Sequence, residues 1–109
     1  MSHESTDRIS LELACCVAAR LRQDPSLLQI GRDNLQRWKR LNASAPSLLE
    51  CYSEWEKILE RPLEEICAIL CSDSEESQRL RQNSPFAGLL SAQEVWELKQ
   101  RFRHAATPA

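Results

Sequence analysis

Glycine and histidine are scarce in this chain, which has two of each among its 109 residues. Two glycines are too few for a series of tight β-hairpins, because hairpin turns depend on glycine. Leucine, glutamate, arginine, glutamine and alanine are abundant, and all five favour helices. The composition therefore predicts an all-α fold, a compact single-domain bundle of five to six short helices.

Long apolar runs are also missing, since no stretch approaches the roughly 20 apolar residues of a membrane span. The first residues lack the basic region and apolar run of a secretory signal. We therefore expect a cytoplasmic protein without a membrane partner. An odd number of cysteines in a reducing compartment predicts no disulfides. The five cysteines are Cys15, Cys16, Cys51, Cys67 and Cys71.

No set of residues typical of catalysis or metal binding occurs in the chain. His3 and His104 lie near the two ends, and there is neither a Gly-rich phosphate loop nor a Ser-His-Asp set. Cys67 and Cys71 have a spacing that metal pairs can use, but no histidine is placed to complete a site. Buried cysteine packs as a small hydrophobe, so we predict core positions for both. The sequence predicts no enzyme activity, no metal site and no cofactor.

Charge is unevenly distributed along the chain, although the net charge is only −2. Residues 50–76 include nine acidic and two basic side chains, and residues 77–109 include five basic and two acidic ones. Such a dipolar chain favours an oriented encounter with a charged partner; solvated helix faces are the alternative. The basic cluster Arg37, Lys39 and Arg40 suits the end of a helix. Since DNA recognition needs a broader basic face, we expect weak or indirect nucleic-acid binding.

Apolar residues recur at steps of three and four, which predicts six amphipathic helices in a domain over residues 8–103. Residues 1–7 and 104–109 are predicted to be disordered. Two capping boxes, Ser72 with Glu75 and Ser91 with Glu94, are expected to open the last two helices. The predicted helices cover about 8–23, 25–41, 47–60, a stretch after Pro62, 72–82 and 91–103.

The second predicted helix buries Leu28, Leu35, Trp38 and Leu41, and Gly31 on the same stripe permits close helix approach. Trp38 and Trp55 fall on apolar stripes and are predicted to be core residues. Trp96 lies one step off the stripe of Val95, Leu98 and Phe102. Core packing is favoured for Trp96, with an interface position beside Phe86 as the alternative.

The segment from Arg79 to Ser91 combines arginines, amides, a proline turn and a phenylalanine that looks exposed, and is the best candidate for a working surface. Arg81 is favoured over Arg79 as the contact, because the two diverge on a helix and Arg81 is nearer the turn. Equally, Arg81 could tie the loop to the acidic third and fourth helices while Phe86 plugs the core. The predicted partner-binding residues are Arg79, Arg81, Gln82, Asn83, Ser84, Phe86, Trp96 and Arg101.

The segment Leu80-Arg81-Gln82-Asn83-Ser84-Pro85-Phe86-Ala87-Gly88-Leu89-Leu90 resembles small bacterial helical proteins of the antitoxin type found in toxin–antitoxin gene pairs. The resemblance spans roughly residues 9 to 103. It implies a non-enzymatic module that binds and neutralises a cognate toxin enzyme, such as a nuclease or nucleotidyltransferase. A DNA-binding transcriptional regulator and an adaptor or stability factor unrelated to toxins are the alternatives. Some members of the group carry an added helix-turn-helix, which we do not expect within these 109 residues.

Overall fold

A computed structural model describes the backbone of residues 2–106 and the side chains of residues 8–101 and 103. Six α-helices and one short 3₁₀ helix make up this part of the chain, and no strand occurs within it. The prediction of an all-α, single-domain bundle is confirmed. The helices are α1 (Ser2–Gln23), the 3₁₀ helix (Pro25–Leu27), α2 (Leu28–Leu41), α3 (Pro46–Ile58), α4 (Leu63–Cys71), α5 (Glu75–Arg81) and α6 (Ala92–Ala106).

Helices α1 and α4 form the central antiparallel pair. Ala18 and Cys67 are fully buried between them, and the Cys67 thiol donates to the Ala18 carbonyl oxygen over 3.6 Å. Closer to the end of α1, Arg22 pairs with Glu64 at the start of α4 (3.3 Å). Small side chains at the crossing let the two backbones come close, and the predicted core position of Cys67 is confirmed.

Trp55 of α3 occupies the centre of the bundle and is fully buried. Its indole Nε1 donates to the Leu80 carbonyl oxygen near the end of α5 (3.0 Å). Its ring meets Phe86 edge-on, with the centroids 6.3 Å apart. Trp38 is only half-buried and packs against Tyr52, with centroids 5.8 Å apart. The prediction that Trp55 is a core residue is confirmed.

Several helix ends differ from the predicted ones. Helix α1 begins at Ser2, whereas the apolar stripe predicts a start near Arg8. Pro25 opens a separate 3₁₀ turn capped by Asp24, whose carboxylate accepts from the Ser26 amide (3.1 Å). Helix α6 continues to Ala106. The rest of the predicted tail, residues 107–109, lies outside the described residues, as does the side chain of Phe102.

One predicted capping box is wrong and the other is confirmed. The Ser72 hydroxyl accepts from the Ser74 amide (3.1 Å) and not from that of Glu75, and α5 begins only at Glu75. Ser74 caps it instead and accepts from the Ser77 amide (3.2 Å). At α6 the Glu94 amide donates to the Ser91 hydroxyl (3.1 Å), and the Ser91 amide donates to the Glu94 carboxylate (3.0 Å).

Two side chains predicted to be buried are exposed. Leu41, the last residue of α2, is 73% exposed, and Trp96 of α6 is 57% exposed. Leu41 lies where the helix ends and the 42–45 turn begins, so no neighbouring helix covers it. Trp96 lies off the stripe that α6 turns inward. Among the helices of the described chain, none has the length and apolarity needed to cross a bilayer.

Candidate functional site

The loop that joins α5 to α6 is clamped to α2 by Asn34. The Asn34 side chain is buried, and its Nδ2 donates to the carbonyl oxygens of Pro85 (2.7 Å) and Ala87 (3.0 Å). Its Oδ1 accepts from Arg37 Nη2 (2.6 Å). Because one side chain bonds two carbonyls of the same turn, it fixes both the position and the direction of the loop.

Phe86 docks inward from this loop and is only 4% exposed. The expectation of an exposed phenylalanine is therefore wrong, and the alternative that it plugs the core describes the structure. Gly31 provides the space, because a Cβ atom there would lie 3.0 Å from Phe86 Cε1. Gly88, two residues after Phe86, adopts φ +89°. Glycine allows this left-handed conformation without strain, and the conformation redirects the chain.

Arg81 is buried, with 8% of the residue exposed. Its Nη1 donates to the carbonyl oxygens of Ser72 and Leu70, the latter over 3.4 Å. Carbonyls at the C-terminal end of a helix lack intrahelical donors and carry partial negative charge, so they suit a guanidinium. Arg81 thus ties α5 to the end of α4, through main-chain oxygens instead of the carboxylates of the acidic helices.

Arg79 forms an intramolecular ion pair on the surface. Its two Nη atoms donate to the Glu54 carboxylate over 3.1 and 2.8 Å, and it also pairs with Glu76. The hydrogen bond from Arg79 lowers the pKa of Glu54 below its usual value. This pairing leaves Arg79 facing α3 and not the α5–α6 loop.

A groove with a volume of about 460 Å³ opens between α1, the α5–α6 loop and α6. Four of the predicted partner-binding residues, Arg81, Gln82, Ser84 and Phe86, line it, whereas Arg79 and Asn83 do not. The sequence-predicted segment therefore contributes one wall of a concave surface. The other lining residues are Ile9, Ser10, Leu13, Ala14, Val17, Ala87, Gly88, Leu90, Val95 and Lys99.

Trp96 is exposed on α6, the helix that supplies Val95 and Lys99 to the groove, but it is not among the residues that line the groove. Val95 and Lys99 line the groove from α6, and on a helix Trp96 is about 60° around the axis from Lys99. We refer to the groove together with Trp96 as the groove–Trp96 face. Arg101 is exposed and lines a smaller neighbouring cavity of about 240 Å³ between α1 and α6. The structure thus brings four of the eight predicted residues to the groove, and places Trp96 and Arg101 on the adjoining helix α6.

The cysteines are free thiols in the described structure. Burial and a hydrogen bond with Cys71 raise the pKa of Cys15 to about 11, and burial raises the pKa of Cys67. Both thiols are therefore protonated at neutral pH. Among the described residues, no three His, Cys, Asp or Glu side chains lie close enough together to hold a metal ion.

Sequence reasoning missed Asn34, the residue that orients the loop. A signal was present, because Asn34 is a polar residue with low helix propensity set between Gly31 and Leu35 on the apolar side of α2. A buried amide in that position needs hydrogen-bond partners. The pattern does not reveal that those partners are Pro85 and Ala87.

Comparisons with protein-family models, with curated proteins and with solved structures found no match.

Proposed function

We propose that this chain is a non-enzymatic protein-binding module that captures its partner on the groove–Trp96 face. The observation that carries the proposal is Trp96, a large aromatic side chain left 57% exposed on α6, whose neighbours Val95 and Lys99 line a concave surface. Tryptophan is enriched among the residues that dominate binding energy at protein interfaces. A partner that covers Trp96 would remove its apolar surface from water.

The groove strengthens the case for Trp96. Single exposed hydrophobic residues are ordinary on protein surfaces, and Leu41 is one such residue, 73% exposed at the end of α2. Trp96 differs because its chain neighbour Val95 lines a concave surface together with apolar side chains such as Leu13 and Leu90. An exposed aromatic anchor beside an apolar groove is the arrangement that binding hot spots use.

The finer proposal is that the partner is a toxin enzyme and that the chain acts as an antitoxin in the cytoplasm. Its support is the resemblance of the Leu80–Leu90 segment to antitoxin-type proteins. Arg81, Gln82, Ser84 and Phe86 of this segment form a wall of the groove. The resemblance alone names the partner class, a nuclease or a nucleotidyltransferase.

Direct nucleic-acid binding has less support. In the basic cluster of α2, Lys39 pairs with Glu56 (2.9 Å) and Arg37 donates to Asn34. Two of its three cations are therefore engaged within the protein. A DNA-binding regulator needs basic side chains free to reach phosphates along one face.

Co-expression tests the proposal. The product of the adjacent gene is expressed alone, with this chain, with Trp96→Ala, and with Leu41→Ala as the matched control. We expect the wild type and Leu41→Ala to restore growth and to co-purify with the adjacent product, and Trp96→Ala to do neither. A Trp96→Ala variant that folds and still restores growth would exclude the groove–Trp96 face as the binding surface.

A further inference from the structure

The groove contains a buried positive charge that no carboxylate of the described residues neutralises. Arg81 lines the groove and is 8% exposed, and its Nη1 is bonded only to main-chain oxygens. Its Nε is buried and has no acceptor within the described structure. The end of α4 offers only about half an elementary negative charge. The positive charge of the guanidinium is therefore only partly compensated by the described residues.

A second cation stands at the rim. Lys99 is exposed, lines the groove and forms no ion pair with the described residues. None of the described residues that line the groove is acidic. The local field in the groove is thus positive, and walls of low dielectric constant strengthen it.

The remaining lining is mostly apolar. Ile9, Leu13 and Val17 of α1 face Leu90 and Val95 across the groove. Burial of an apolar group on these walls is favourable, whereas a purely apolar occupant would leave the guanidinium without an anion. A hydrated polyanion such as nucleic acid would satisfy the charge but would leave the apolar walls uncovered.

We propose that the groove receives an apolar side chain accompanied by a carboxylate, presented by the partner protein. The apolar side chain lies against the α1 wall, and the carboxylate pairs with Lys99 in the field of Arg81. This inference rests on the proposed function and gives the chemistry of the partner's contact segment, an acidic residue beside a large aliphatic one.

Octanoate is a minimal probe, because it joins one carboxylate to one aliphatic chain. Its binding is followed through the backbone amide shifts of Gly88, Val95 and Lys99 in the ¹⁵N-labelled protein. Octanamide has the same chain without the charge, and octylammonium reverses the charge. We expect saturable shifts with octanoate, roughly tenfold weaker binding of octanamide, as for the loss of one charged hydrogen bond, and no saturation with octylammonium.

Substitution of Arg81 would disturb the core, because Arg81 also holds the end of α4. The contribution of charge is therefore tested at lysines on the surface. Lys99→Gln is expected to weaken octanoate binding several-fold. Lys57→Gln, which removes a lysine of α3 that is also exposed, should leave binding unchanged. Equal affinity for octanoate and octanamide, or equal affinity of both variants, would overturn the inference.

The two proposals fail in different ways. The octanoate titration needs no partner protein, and the growth test with Trp96→Ala needs no carboxylate. If octanoate fails to bind while Trp96→Ala abolishes rescue, the partner binds the face without the proposed carboxylate. If octanoate binds with the expected selectivity while Trp96→Ala captures the partner as well as the wild type does, the inference on the groove is supported and the proposed function is wrong.

Discussion

The Asn34→Ala substitution tests whether one buried amide holds the candidate site together. It removes the two hydrogen bonds that the Asn34 amide donates to the α5–α6 loop, one to the carbonyl oxygen of Pro85 and one to that of Ala87. It also leaves Arg37 without its acceptor. Phe86 lies between the two freed carbonyls, so loosening of the loop acts on the groove as well as on stability.

The cost follows from these contacts. Each of the two hydrogen bonds contributes about 0.5–1.5 kcal/mol net, and a buried carbonyl left unpaired costs at the upper end of that range or more. Alanine returns about 0.6 kcal/mol through its higher helix propensity. The expected loss is therefore about 1–3 kcal/mol of unfolding free energy. For a domain of this size that corresponds to a melting temperature lower by roughly 5–15 °C.

Urea unfolding followed by tryptophan fluorescence measures this loss, because Trp55 contacts Phe86. Gln36→Ala, which removes an exposed amide from the same helix, is the matched control and should change stability little. Asn34→Asp keeps the size but cannot donate, so it should be at least as destabilising as alanine. If the unfolding free energy of Asn34→Ala lies within about 0.5 kcal/mol of the wild-type value, the range expected for a neutral surface change, Asn34 does not hold the loop.

Four further outcomes are expected. The rate of Cys15 alkylation by iodoacetamide, measured by mass spectrometry of its peptide, should still increase between pH 9 and 11, because the pKa of Cys15 lies near 11 instead of 9.0. A rate that reaches a plateau above pH 9 would contradict this. The same shift predicts that stability falls as pH rises above 9, since the unfolded thiol ionises there and the folded one does not. Ser91→Ala should lower unfolding free energy by about 1 kcal/mol through loss of the α6 cap, with Ser53→Ala as a non-capping control; equal stability of the two variants would argue against the cap. Arg79→Ala should barely change the melting temperature, because ion pairs between half-exposed side chains contribute little; a large drop would show that this pair matters more than its exposure suggests.

The helices and the centre of the core could be predicted because their signals are local. The apolar stripe of Trp55 lies within α3 alone, and that of Cys67 lies within α4 alone. The Ser91–Glu94 cap spans four residues. Leu41 was mispredicted because a stripe does not show whether a neighbouring helix extends far enough to cover it.

The candidate site depends on contacts between residues far apart in the sequence. Phe86 is buried because Gly31 leaves room for its ring and Asn34 holds the turn around it, more than 50 residues earlier in the chain. Hydrophobic periodicity carries no information on such pairs. The segment could be singled out by its composition, but whether its aromatic ring points inward could not.

Calorimetric titration of the purified partner with wild type, Trp96→Ala and Leu41→Ala tests the role of the groove–Trp96 face most directly. Both variants remove an exposed hydrophobic side chain, and circular dichroism checks that both keep the fold. We expect Leu41→Ala to bind as the wild type does, and Trp96→Ala to bind roughly thirtyfold more weakly or worse, as for an interface hot spot of about 2 kcal/mol. Wild-type affinity for Trp96→Ala would contradict the assignment of this face as the partner-binding surface.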